Sequence, residues 1–191
     1  MESGKGVVSY RTVDDDFVQY PTLSGERSVL SITEYNGDLI VGGGFDDRIV
    51  SWNSSAWEPL GGGANRDVID LVVYNNTLIA AGRFSMIGGK DINGMASWDG
   101  NSWSDVGGSL EINSGNVRDM VVHNNEIYVV GSFTEIGNTA ANYVAKWNSS
   151  AWESLNLIDN MESIWAVEVY NNRLYIGTSN FPESQLYYLD L

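Results

Sequence analysis

The chain has 191 residues, of which 25 are acidic and 10 are basic, so its formal net charge is −15. A charge of this size repels phosphate backbones and anionic lipid, which makes nucleic acid and membranes poor partners. There is no cysteine, which excludes disulfides, thiolate metal sites and cysteine nucleophiles. The N-terminus lacks a basic start followed by an apolar run, and no stretch approaches the ~18 apolar residues of a membrane span. We therefore expect no signal peptide and no transmembrane segment, and a protein that is cytoplasmic or part of a larger assembly.

A pattern of alternating apolar and polar residues that ends in asparagine recurs four times. The copies are VLSITEYNGDLIVGGGF from residue 29, VIDLVVYNNTLIAAGRF from 68, VRDMVVHNNEIYVVGSF from 117 and IWAVEVYNNRLYIGTSNF from 164. Alternation predicts strands, and Asn-Gly or Asn-Asn supplies the positive backbone angles of a tight hairpin turn. Each copy therefore predicts two antiparallel strands, A and B.

A tryptophan pair follows each of the first three copies. The pairs are Trp52 and Trp57, Trp98 and Trp103, and Trp147 and Trp152. The residues between them are Asn, Asp, Gly, Ser and Ala, which predicts a second hairpin with one aromatic on each strand, C and D. Because the pairs keep their register with the turn asparagine, a glycine and a phenylalanine, we interpret them as packing elements between repeats rather than as a binding platform.

A four-stranded antiparallel meander that repeats at about 40 to 50 residues is typical of a β-propeller blade. We therefore expect one all-β domain over 1–191, a small β-propeller of four blades with four strands each. The expected blades are 29–60, 68–106, 117–155, and 164–191 together with 17–24. The fourth copy lacks strand D, and YPTLSG at 20–25 aligns with WEPLGG at 57–62, so an N-terminal strand should complete the last blade and close the ring, with Tyr20 beside Tyr188. The stretch GVVSYR at 6–11 has no place in this scheme, and the role of residues 1–16 stays open.

The segment GRFSMIGGKDINGMASWDGNSWSDVGG at 82–108 resembles the repeat of kelch-like propellers and the related repeats of cortical polarity-marker and bacterial cell-surface proteins. Those families pair a glycine after strand B with aromatics that flank the C–D turn, matched here by Gly82, Trp98 and Trp103. The resemblance extends over nearly the whole chain and concerns the fold. It implies an interaction scaffold, and because rings in those families usually have more blades, a ring larger than four stays possible.

The longest connections are expected to lie on one face, where strand B leads to C and strand D leads to A. Two B–C loops, SMIGGKDING at 85–94 and TEIGNTAANY at 134–143, are extended, and the D–A connections 61–67 and 107–116 join them. Binding residues concentrate on variable loops held by a rigid scaffold. The candidate binding residues on this face are Lys90, Asp91, Asn93, Glu111, Glu135, Asn138 and Tyr143.

Two aspartates, Asp70 and Asp119, occupy the same position of strand A, which lines the central channel of a propeller. They could hold a cation or a water cluster, or they could accept hydrogen bonds from backbone N–H groups, and we favour the second interpretation. No other cofactor is expected. The single histidine, His123, stands where Tyr35, Tyr74 and Tyr170 stand in the other copies, so we expect a packing residue.

The leading functional hypothesis is a non-catalytic binding or scaffold propeller that contacts another macromolecule through its B–C and D–A loops, as a module of a surface or particle assembly. The alternative is a carbohydrate-binding, lectin-like propeller, for which Tyr143 and the Asn-rich loops would supply contacts. A third hypothesis is a glycoside hydrolase that uses Asp91, Glu111 and Glu135, since such enzymes need paired carboxyl groups in one pocket. The expected partner is thus protein or glycan, and the oligomeric state is open.

Overall fold

The computed structural model describes residues 8–10, 17–25, 28–108, 110, 115–155, 164–179 and 184–191. These residues form antiparallel β-sheets and one short 3-10 turn at Leu60–Gly62, with no α-helix among them. In the same part of the chain, no helix is long and apolar enough to cross a membrane.

The strands form six sheets, of which four follow one another along the chain as simple meanders. An N-terminal pair consists of β1 (Val8–Tyr10) and β2 (Phe17–Gln19). The first sheet contains β3 (Val29–Tyr35), β4 (Asp38–Gly43), β5 (Ile49–Trp52) and β6 (Trp57–Pro59). The second sheet contains β7 (Val68–Tyr74), β8 (Thr77–Gly82), β9 (Met95–Trp98) and β10 (Trp103–Asp105).

The third and fourth sheets continue the series. The third sheet contains β11 (Val117–His123), β12 (Glu126–Gly131), β15 (Val144–Trp147) and β16 (Trp152–Ser154). Its B–C loop holds a small hairpin of β13 (Glu135–Ile136) and β14 (Thr139–Ala140). The fourth sheet contains β17 (Ile164–Tyr170), β18 (Arg173–Thr178) and β19 (Leu186–Asp190).

The hairpin turns have the geometry that their residues predict. Asn75 and Asn76, between β7 and β8, have φ of 48° and 58°, as a type I′ turn requires. In the second kind of hairpin, the Asn148 side-chain oxygen accepts hydrogen bonds from the backbone N–H groups of Ser150 and Ala151, at 3.0 and 2.9 Å. The repeated asparagines and aspartates are therefore explained by turn chemistry.

The second and third sheets each pack their tryptophan pair against the end of the preceding sheet. The Trp103 Nε1 donates a hydrogen bond to the Leu60 carbonyl at 3.3 Å, and the Trp152 Nε1 donates one to the Val106 carbonyl at 2.9 Å. Both side chains are buried, and within the third sheet's pair the ring centroids of Trp147 and Trp152 lie 5.2 Å apart. The interpretation of the pairs as packing elements between repeats is confirmed for the second and third sheets.

In the first three sheets, the last residue of the first strand contacts the turn of the following sheet. The Tyr35 hydroxyl donates to the Asn76 carbonyl at 3.2 Å, and the Tyr74 hydroxyl donates to the Asn125 carbonyl at 2.9 Å. His123 makes the corresponding contact through Nε2, 3.3 Å from the Asn172 side-chain oxygen. The histidine thus fills the position of the tyrosines, as expected.

The N-terminal segment differs from the expectation. Strand β2 pairs with β1, and the described residues show no ladder between β2 and β19, so ring closure by residues 17–24 stays a prediction. Tyr20 lies instead against Trp52 and Trp57, with ring centroids 4.9 and 5.6 Å away. The physical reason is that the first tryptophan pair also needs a preceding segment to cover it, and the Trp57 Nε1 donates to the Pro21 carbonyl at 2.9 Å.

The register of β19 corrects the expectation for Tyr188. Leu189 lies opposite Leu174, which is the position that Trp147 takes opposite Ile127 in the third sheet. Tyr188 lies one residue earlier and faces the other side, where it is exposed. Because side chains alternate along a strand, a one-residue offset in the alignment moves a side chain to the opposite face.

Candidate functional site

A β-bulge near the start of each first strand displaces one residue from the ladder. The register shifts between Val29 and Ser31, and equivalent shifts occur in β7, β11 and β17. Such bulges re-aim the side chain of the extra residue. The four displaced residues, one from each sheet, are Leu30, Ile69, Arg118 and Trp165.

These four residues line one cavity of about 460 Å3. Its remaining lining residues are Ser28, Gly44, Asp67 and Arg83. Ser28 and Asp67 directly precede first strands, and Gly44 and Arg83 directly follow second strands. The cavity therefore lies between the four first strands at the end of the sheets where the B–C and D–A connections meet.

The cavity concentrates positive charge in a strongly acidic protein. The Arg118 guanidinium carbon lies 3.5 Å from the centroid of the Trp165 ring, and its buried Nε and Nη1 atoms have no hydrogen-bond partner in the described structure. Burial and the neighbouring charge of Arg83 lower the pKa of Arg118. A buried guanidinium donor without an acceptor is costly, so this group can gain from an incoming oxygen ligand.

Among the described residues that line the cavity, Asp67 is the acidic one, and it lies between two guanidinium groups. Its carboxylate oxygens are 3.6 Å from Arg83 Nη1 and 3.9 Å from Arg48 Nη1. Together with Arg118, three guanidinium groups lie in or beside this cavity. The arrangement suits the binding of an anionic group.

No protein-family model matches the chain, and no curated protein matches it. The site is therefore interpreted from its own geometry.

Asp70 and Asp119 accept backbone hydrogen bonds from neighbouring sheets. In three successive sheets, the side-chain oxygen at this position accepts a hydrogen bond from a backbone N–H in the first strand of the next sheet. The pairs are Ser31 Oγ with Leu71 N at 3.2 Å, Asp70 Oδ2 with Met120 N at 2.8 Å, and Asp119 Oδ2 with Val167 N at 2.7 Å. First strands have an edge without a ladder partner, and these side chains satisfy its N–H groups. Within the described ranges, no three His, Cys, Asp or Glu side chains converge as a metal site.

The pKa of Asp119 is raised to about 6, chiefly by burial and further by the charge of Asp70, against an ordinary value of 3.8. The folded state therefore holds this proton more tightly than the unfolded chain. The resulting stabilisation is fully present below about pH 4 and is lost as the pH rises through about 6.

We expect Asp119→Asn to gain stability relative to the wild type between about pH 4 and 6, because the variant has no charge to bury at this position. Thermal unfolding of both proteins at pH 4, 5, 6 and 7 measures the difference in Tm. Asp91→Asn removes one negative charge from an exposed loop and serves as the control for net charge. A difference in Tm that stays constant over this range would contradict the prediction.

Two candidate binding residues in the second sheet's B–C loop, Lys90 and Asn93, donate hydrogen bonds to backbone carbonyls. Lys90 Nζ donates to the Trp103 carbonyl at 2.5 Å, and the Asn93 side chain donates to the Leu110 carbonyl at 2.5 Å. Asp91 is exposed. None of these three residues lines the cavity.

The candidate residues of the third sheet's loop are also separate from the cavity. Glu135 is half-buried in β13, and Asn138 has φ of 62° in the turn that follows. Tyr143 is half-buried against the hydrophobic cluster between the third and fourth sheets, with φ of 70°. None of the three lines the cavity. Glu111 lies outside the described residues.

The sequence analysis missed the four displaced residues of the first strands. Their neighbours repeat, since Val29, Val68, Val117 and Ile164 precede them, whereas the displaced position changes from Leu to Ile to Arg to Trp. At a position that varies inside a regular repeat, packing does not require one type of residue, as it does at the positions that repeat. That variation, and not the length of the loops, was the available signal.

Proposed function

We propose that the four consecutive sheets are blades of a β-propeller and that the protein is a non-catalytic binding module. The first strands β3, β7, β11 and β17 contribute one displaced residue each to a shared cavity, which supports a channel running between the blades. In this arrangement the module contacts another macromolecule through its B–C and D–A loop face, and the cavity takes an anionic group of that partner.

The observation that carries this proposal is the Arg118 guanidinium, whose buried Nε and Nη1 have no hydrogen-bond partner in the described structure, in a cavity where Arg83 forms an ion pair with Asp67. Guanidinium groups bind carboxylates through charge-assisted hydrogen bonds. The strongly negative charge of the chain disfavours a uniformly acidic partner, so the expected ligand is a segment that presents a carboxylate within a neutral or basic surface.

Tyr143, which would support a lectin-like module, is accounted for by packing against the hydrophobic cluster. Of the three carboxylates suggested for hydrolysis, Asp91 and Glu135 do not line the cavity, and Glu111 lies outside the described residues. The binding module is therefore the proposal that the cavity supports, and binding to sugars is an outcome that its test can detect.

The test screens the purified protein against a peptide array with acidic and amidated versions of each peptide, and against a glycan array. We expect selective binding to carboxylate-bearing peptides, and Arg118→Gln should weaken it roughly 10- to 100-fold because a charge-assisted hydrogen bond is lost. Arg173→Gln, the same change on the fourth sheet, is the matched control and should bind normally. Binding to glycans only, equal loss in both variants, or silence on both arrays would contradict the proposal.

A further inference from the structure

One face of the first strand is uncovered in the first sheet, whereas the same face is buried in the second, third and fourth sheets. The fourth residue of the first strand is 5 to 6% exposed at Leu71, Met120 and Val167, because the preceding sheet packs over it. The equivalent residue of the first sheet, Ile32, is 54% exposed. Val29 on the same side of β3 is also exposed, whereas its three equivalents are fully buried. We name Val29 and Ile32 the head surface.

In the fourth sheet, the uncovered face is the one that contacts the following sheet in the first three sheets. Tyr35 and Tyr74 are buried against the following sheet, but their equivalent Tyr170 is 64% exposed. Leu186 is 71% exposed, although its equivalents Ile49, Met95 and Val144 are buried.

Tyr188 lies on the same side of β19 as Leu186, and the Tyr175 ring connects it to Tyr170, with centroids 5.9 and 6.4 Å apart. We name Tyr170, Leu186 and Tyr188 the tail surface. The Arg173 guanidinium carbon lies 4.7 Å from the centroid of the Tyr188 ring, so the surface combines exposed aromatic and aliphatic side chains with one cation. Exposed hydrophobic side chains that cluster in this way mark interaction sites.

The head and tail surfaces are the two halves of an interface that the chain already forms three times between its own sheets. We propose that these surfaces bind each other between molecules, so that the fourth sheet of one copy docks head to tail on β3 of a second copy. Such a contact is heterologous, and two copies that each supply one head and one tail can close a ring.

Within the described residues, the head and tail surfaces do not meet each other. The first two internal interfaces are closely packed, since an added Cβ would overlap the Trp98 ring at Gly61 and the Trp147 ring at Gly107. With the three internal interfaces formed, neighbouring first strands pack side by side, but β3 and β17 make no comparable contact in the described structure. A second copy can cover both surfaces while these three interfaces stay as they are.

The net charge sets the conditions under which association should be visible. Two copies with a formal charge of −15 each repel one another, and salt screens this repulsion while it leaves the apolar contact intact. Association should therefore strengthen as the salt concentration rises, opposite to the behaviour of a contact held by ion pairs.

The experiment measures mass by sedimentation at several protein concentrations in low and high salt. We expect the wild type to form dimers or closed oligomers, and Ile32→Glu or Tyr170→Glu to weaken association at least about 100-fold, because a charge without a partner would be buried. Val73→Glu is the matched control, since Val73 is a partly exposed residue of β7 and Glu34 occupies its equivalent position in β3. It should associate like the wild type.

A mixture of the two disruptive variants identifies the head-to-tail geometry. Ile32→Glu retains an intact tail, and Tyr170→Glu retains an intact head, so their mixture should form heterodimers through one good contact although each alone is monomeric. A monomeric wild type in high salt, association that survives Ile32→Glu, or a mixture that stays monomeric would each overturn the proposal. A monomeric wild type whose Tm falls on Ile32→Glu would show that the ends meet within one chain. The test does not involve the arginine cavity, so its failure leaves the proposed binding function standing.

Discussion

Replacing Trp152 with alanine is expected to lower the free energy of unfolding by about 3 to 5 kcal/mol. The side chain is 5% exposed and packs between the second and third sheets, where its Nε1 donates to the Val106 carbonyl. Truncation leaves a large cavity at this interface and removes the partner of a buried carbonyl. Chemical denaturation of the variant and the wild type measures the difference.

Trp165→Ala is the matched control for this substitution. Trp165 is 52% exposed and its ring contacts the Arg118 guanidinium, so its loss should cost about 1 to 2 kcal/mol, clearly less than the loss of Trp152. Equal effects at the two positions would show that the tryptophan pair does not hold neighbouring sheets together.

Replacing Gly82 with alanine is expected to destabilise the protein by about 3 kcal/mol or to prevent folding. The bulge in β7 brings the Asp67 carbonyl oxygen so close to Gly82 that an added Cβ would overlap it. The same oxygen accepts the Arg83 backbone N–H at 2.9 Å, so it cannot move away without losing that bond. Gly43 and Gly131 face the Ser28 and Asn116 carbonyls in the same way.

Gly37→Asn is the control for the glycine variant. Gly37 has φ of 87° in a turn, nothing lies within 4 Å of an added Cβ, and asparagine occupies the equivalent position in the other three turns. The change should leave the melting temperature nearly unaltered, because asparagine tolerates this backbone region. Similar melting of the wild type and Gly82→Ala would contradict the steric account.

Local patterns predicted the repeating part of the fold well. The turn asparagines, the alternating strands and the tryptophan hairpins each depend on residues a few positions apart, so their chemistry is readable along the chain. The packing role of Trp103 and Trp152 and the substitution of His123 for tyrosine followed from the same register. The prediction was less accurate near the chain ends. There Leu189, and not Tyr188, occupies the position that Trp147 takes in the third strand of its sheet.

The candidate site was harder to predict because it is assembled from the least regular position of each repeat. Arg118 and Trp165 lie 47 residues apart and meet only because two bulges turn their side chains toward the same cavity. The loop residues Lys90 and Asn93 instead stabilise their own loop and its neighbours through backbone carbonyls. A polar residue on a long loop has many unpaired backbone groups nearby, and its side chain can form hydrogen bonds with these groups instead of with a ligand.

By itself, the sequence determined that the protein is built from repeated antiparallel meanders without disulfides, because periodicity, turn chemistry and composition act locally. Only the tertiary structure decided which side chains share a cavity, that Asp70 and Asp119 serve backbone N–H groups, and which sheet faces stay uncovered. Burial and pairing of this kind depend on residues that are remote in sequence, so they arise only when the sheets have packed. For that reason Ile32 and Leu71, which are equivalent in the repeat, differ tenfold in exposure.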